Sequence, residues 1–142
     1  MMSQPSERLT VCGVIDPQTA NNTTKTTGNI DLSKFHEAAF VLLVGTIDST
    51  VDFKLQESAD GSTGWADISG KGITQLTATD DNKQVLVNLK AEELSTGKRY
   101  VRGLATLGNG TSQALCAVAL GVKPRFGPAS DDKAATLAQI VT

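Results

Sequence analysis

Between Arg8 and Val122 the sequence breaks into eight or so short stretches of strand-like patterning, each closed by a turn signal, and that cadence restricts the fold more than any other feature of the chain. Val51–Glu57 alternates strictly, which sets Val51, Phe53 and Leu55 on one face and Asp52, Lys54 and Gln56 on the other. Phe40–Ile47 begins as an apolar run on both faces, the pattern of a central strand. Arg8–Ile15 alternates up to the break at Asp16–Pro17. Shorter strands are expected at Asn29–Leu32, Trp65–Ile68, Gly72–Ala78 and Gln84–Leu89, with helical turns at Ser33–Ala38 and Ala91–Leu94. No β–α–β alternation occurs. The spacing therefore predicts an all-β fold, an antiparallel β-sandwich of jelly-roll or immunoglobulin-like type with about eight strands.

Two tight hairpins are expected to fix the core. One runs from Phe40 to Glu57 through Asp48–Ser49–Thr50, and the other joins Lys98–Leu107 to Ser112–Val122 around Asn109–Gly110. Aromatic residues make up only 4% of the chain, so the core must be largely aliphatic. Phe40, Leu42, Val44, Phe53, Leu55, Leu86, Val101 and Leu115 are the side chains expected inside, with Trp65 capping the core. Cys12 and Cys116 sit in apolar runs and read as buried thiols on the first and last core strands, which are expected to lie together; a disulfide between them stays open. The chain divides into an N-terminal arm at 1–8, a sandwich at 9–123 and an extension at 124–142.

Charge and motif content remove several classes of function. The net charge is −2 and no basic stripe is present, which speaks against nucleic-acid binding. No apolar run reaches membrane-spanning length, and Met1–Arg8 has no apolar core of a signal peptide, so synthesis in the cytoplasm is expected. His36 is the single histidine, and no nucleophile elbow accompanies it. One histidine and two distant cysteines do not make a zinc site, and Asp80–Asp81–Asn82 reads as a solvated turn rather than a calcium loop. Pairs drawn from Asp52, Glu57, Asp60 and Asp67 carry no glycosidase signature beyond what any β protein offers. The glycines are scattered singly at turns and form no phosphate loop. The expectation is no catalytic centre, no metal and no cofactor.

What the sandwich does not need is informative. The polar stretch Gln18–Gly28 reads as a long loop or an extended edge strand; it, the arm and the tail from Pro124 are long and polar, and such segments add strands to a neighbour or wrap it. The tail carries Ala134, Leu137, Ala138 and Val141 at helical spacing. Arg8, Lys25, Pro124, Arg125, Phe126, Leu137, Ile140 and Val141 are the expected protein-interface residues.

The stretch Val51–Gly70, VDFKLQESADGSTGWADISG, followed by Lys98–Gly103, KRYVRG, resembles a layout found in small proteins encoded beside the major capsid gene of tailed bacteriophages. Over roughly Asp31 to Gly121 the chain is similar to head decoration, or cement, proteins. Leu55, Trp65, Ile68, Tyr100 and Val101 match as core or strand residues, and Asp60 and Gly61 match as a turn. The resemblance implies a sandwich on the outer surface of a virion capsid. It would bridge major capsid subunits, associate with itself as a homodimer or homotrimer, and stabilise the expanded, DNA-filled head. A phage tail or baseplate module that holds host carbohydrate is the alternative; it would need an exposed aromatic such as Trp65 beside a polar hollow.

Overall fold

Nine strands make two facing antiparallel sheets in the structure, a computed structural model that describes residues 4–127 together with 138, 139 and 141. They are β1 (Leu9–Ala20), β2 (Thr23–Thr26), β3 (Ile30–Asp31), β4 (Phe35–Ile47), β5 (Val51–Ser58), β6 (Ala66–Gly72), β7 (Gln84–Lys90), β8 (Tyr100–Leu107) and β9 (Gln113–Pro124). One sheet has the order β1-β9-β4-β7; the other has β2-β8-β5-β6, with β3 also paired to β8. β2 and β3 behave as one strand interrupted at residues 27–29. Counted so, consecutive strands alternate between sheets except at the β5-β6 pair, which is the double Greek-key order of a jelly roll and settles the choice against the immunoglobulin arrangement.

The core is a layer of aliphatic side chains around three phenylalanines. Phe35, Phe40, Phe53, Ile30, Leu42, Ile47, Leu55, Leu89 and Val101 are fully buried. Small residues make room for the rings: a Cβ on Gly121 would stand 2.7 Å from the Phe35 ring, and one on Gly103 would stand 2.6 Å from Phe53. β1 and β9 pair as the cysteines suggested, with a register shift between Val11 and Gly13 and another between Ile15 and Gln18 that carries β1 past Pro17. Cys12 joins the core, whereas Cys116 lies on the other side of the sheet.

Several expectations need correcting. The segments Phe40–Ile47 and Val51–Glu57 are not a hairpin: β4 and β5 belong to different sheets, and Asp48–Thr50 is an arch between them. The same holds for β8 and β9 around Asn109–Gly110. The consecutive strands that do pair are β5 and β6. Leu86 is 61% exposed, because β7 turns Leu89 inward and Leu86 outward. Residues 33–38 are not a helical turn; β4 already starts at Phe35. Gly72–Ala78 is not a strand either. After β6 the chain follows β5 irregularly, through Ile73 N–H to the Phe53 carbonyl at 2.9 Å and an isolated bridge between Val51 and Leu76. Of the two readings of Gln18–Gly28, the edge strand holds: the stretch forms the end of β1 and the edge strand β2.

Candidate protein-interaction surfaces

The two sheets present opposite chemistry to the outside. On the five-stranded sheet, register pairs Asp52 with Thr106, Lys54 with Leu104, and Gln56 with Arg102. Lys54 Nζ donates to Asp67 Oδ2 at 2.8 Å, Gln56 Nε2 donates to Asp67 Oδ1 at 2.9 Å, and Arg102 donates from Nε and Nη2 to Gln56 Oε1. The Arg102 guanidinium lies 4.2 Å from the Trp65 ring centre. Trp65 is therefore a half-buried ring covered by a tethered arginine, not a core cap and not an open platform. Next to this network, Arg99 Nε and Nη2 fork onto the Asp31 carboxylate at 2.9 and 2.7 Å. Burial pushes the Asp31 carboxyl up, but Arg99 and Ser33 outweigh it and hold it at about 2. Asp60 closes the 58–63 turn: Thr63 N–H and Ser62 N–H donate to its Oδ1 at 2.8 Å, which holds its carboxyl well below the usual range.

The outer face of the four-stranded sheet carries almost no such chemistry. Its rows run across the strands: Val11, Leu120, Ala39 and, on the β7 edge, Asn88; then Val14, Val118, Val41 and Leu86; then Cys116, Leu43 and, on the β7 edge, Gln84. Leu9 and Val122 extend the patch at one end, and a shallow apolar hollow lined by Pro17, Leu43, Ala114 and Cys116 extends it at the other. An antiparallel sheet with one face on the core ordinarily alternates to polar residues on the other. Here both faces are apolar through the three strands of greatest length. The signal was present in the sequence, in the both-face apolar run of Phe40–Val44 and in the alternate set Cys116, Val118, Leu120 and Val122. Reading Phe40–Ile47 as a central strand hid it: among the described residues no second layer covers that side.

At the end of this sheet where β1 begins and β9 finishes, several of the expected interface residues come together. Lys123 N–H donates to the Arg8 carbonyl at 3.2 Å, and Lys123 adopts φ 53°, which turns the chain out of the sheet. Pro124 still registers with Phe35, Arg125 N–H donates to the Lys34 carbonyl at 2.9 Å, and Phe126 is 81% exposed. Lys123 Nζ pairs with Glu37 Oε1 at 2.7 Å. A shallow hollow beside them is lined by His36, Glu37, Lys90, Glu92 and Arg125. Lys25 is elsewhere, on β2 opposite Ala105, where an inward-facing lysine at a sheet edge discourages further strand pairing. Leu137 and Ile140, with most of the expected amphipathic tail, lie outside the described residues; Val141 is 83% exposed. Among the described residues no group of three His, Cys, Asp or Glu side chains is placed to hold a metal ion.

No protein-family model and no curated protein matches this sequence. Among solved structures, the PBSX exported protein XepA matches all of this chain at a TM-score of 0.58 and 14% identity. The chain spans 46% of XepA's length. The Triatoma virus empty capsid matches 89% of the chain and 94% of its own at a TM-score of 0.49 and 12% identity. A carbohydrate-binding module, CBM28, specific for non-crystalline cellulose, matches 78% of the chain and 72% of its own at 0.46 and 8%. At these identities the likeness is one of fold. The chain is an all-β jelly-roll sandwich.

Proposed function

We propose that the chain is a non-enzymatic structural virion protein that binds the outer surface of a phage capsid and bridges neighbouring major capsid subunits, stabilising the expanded, DNA-filled head. The observation that carries the reading is the convergence of Arg8 and residues 123–126 at one end of the four-stranded sheet, with Phe126 exposed next to Arg125. A large exposed aromatic next to an arginine is the usual makeup of an interface anchor. The likeness of Val51–Gly70 and Lys98–Gly103 to head decoration proteins supplies the partner. The mechanism is linkage: a subunit that binds the expanded lattice and not the unexpanded one stabilises the former by mass action, and many modest contacts act on one shell.

Co-sedimentation with the cognate heads, followed with Phe126→Ser and Arg125→Glu variants, tests this. The expected result is saturable pelleting of the unsubstituted chain and at least tenfold weaker binding by Phe126→Ser with an unchanged thermal melt. Equal binding by both variants would remove this end of the sheet from the docking site. Failure of the unsubstituted chain to pellet would reject the capsid reading.

A further inference from the structure

We infer that the apolar outer face of the β1-β9-β4-β7 sheet is a homodimer interface, in which two copies of this chain pack these faces together about a two-fold axis near Val41 and Val118. The inference does not depend on the capsid reading, since it rests on the face alone.

The chemistry of the face selects its partner. In the middle of the face, Val11, Val14, Val41, Val118, Leu120 and Leu86 offer no hydrogen-bond donor or acceptor, so recognition there is by apolar packing, with Asn88 and Gln84 at the β7 edge as a polar rim. At one end of the face Lys123 is already paired with Glu37. A two-fold axis lying in the interface and perpendicular to the strands sends the Lys123–Glu37 rims of the two copies to opposite ends, so these like charges do not meet.

The size of the face fits the same partner. Four strands about 4.8 Å apart over a length of about 30 Å give roughly 600 Å² per copy. A pair then buries roughly 1,200 Å² in total, at the lower end of the range of stable interfaces. Two sheets laid face to face with their mean strand directions within about 30° form an ordinary aligned packing. The dimer is thereby a four-layer stack, with the polar five-stranded sheets outermost.

A second copy also meets a requirement that other partners do not. A face of this size left in water is an aggregation hazard. A copy of the same chain is present at the same place and time as the exposed face, so a dimer covers it from synthesis onward. The half-exposed Cys116 sits in the third row, beside Leu43, and reports on coverage without any substitution.

Sedimentation velocity of the full chain at 1–100 micromolar, with maleimide labelling of Cys116, decides the matter. The inference predicts a dimer throughout the upper part of that range and Cys116 labelling that slows at least tenfold as the dimer forms. Leu86→Glu and Val41→Arg should each give a monomer with unchanged far-ultraviolet circular dichroism and fast labelling. A monomeric unsubstituted chain at 100 micromolar overturns it, as does a trimer, which a two-fold face-to-face contact cannot form. A dimer in which Cys116 labels at the monomer rate, or which persists in both folded variants, also overturns it. A folding failure of either variant leaves the labelling of the unsubstituted chain as the deciding result.

Discussion

Asp31 shows how a single carboxylate is set by its neighbours. It is buried on β3 and accepts two parallel hydrogen bonds from Arg99, which holds its carboxyl at about 2. A folded-state value below the ordinary 3.8 means that the folded protein binds this proton less readily than the unfolded chain. The resulting stability is complete above about pH 4 and is lost as pH falls through about 2. Thermal melts should therefore show that the gap between the unsubstituted chain and Asp31→Asn is constant above pH 5 and closes between pH 4 and pH 2. A gap that widens on acidification would contradict the assignment. Leu55, fully buried on β5, makes the complementary test of packing: Leu55→Ala should cost about 2–5 kcal/mol in chemical denaturation. His36 is exposed on β4, and His36→Ala should leave the melting temperature and head binding unchanged within error.

At the scale of elements, strands and turns were legible in the sequence, and their assignment to sheets was not. The alternation of Val51–Glu57 set Phe53 and Leu55 inside correctly, and Phe40, Leu42 and Val44 are likewise buried. Yet both expected hairpins are arches. Periodicity reports which side of a strand is apolar but not which strand lies beside it. A subtler signal was available. Partners in one sheet share an outer face, and the outer residues of β4, Val41 and Leu43, do not match Asp52 and Lys54 of β5. Cys116, Val118 and Leu120 of β9 likewise differ from Arg102 and Thr106 of β8. Sorting strands by outer-face polarity places β1, β4 and β9 together and β2, β5 and β8 together, as in the structure. Leu86 escaped because Gln84–Leu89 is apolar at Val85, Leu86, Val87 and Leu89, which leaves its inner side ambiguous.

Asp48 ties the two arches to each other. Thr111 N–H donates to its Oδ2 at 2.6 Å and Ser112 N–H at 3.2 Å, and these hydrogen bonds, led by that of Thr111, draw its carboxyl below the usual range. Gly110 packs against Asp48 so closely that a Cβ there would clash with Oδ1. Asp48→Ala should speed amide exchange at Thr111 and Ser112 while the exchange of β5 amides stays unchanged. Equal protection in the variant would show that the carboxylate does not hold the loop.

For the whole molecule, the sequence pointed to the two ends of the chain as its working surfaces; in the structure Arg8, Pro124, Arg125 and Phe126 lie at one end of a sheet. Lys25 does not join them, because the edge strand that carries it pairs with β8 in the other sheet. The apolar sheet face went unread for a different reason: its side chains are the same types as the core, and only the layer arrangement tells an outer valine from an inner one. As proposed, the molecule has two separable surfaces, an apolar face for its own copy and a terminal end for the shell. Stabilising the expanded head then requires that the chain bind it in preference to the unexpanded one, since only differential affinity stabilises one state over the other. Equilibrium sedimentation of the chain with matched preparations of expanded and unexpanded heads measures that ratio directly. Saturable binding at least tenfold tighter to expanded heads is the predicted result; equal affinity for the two, or binding to neither, would contradict it.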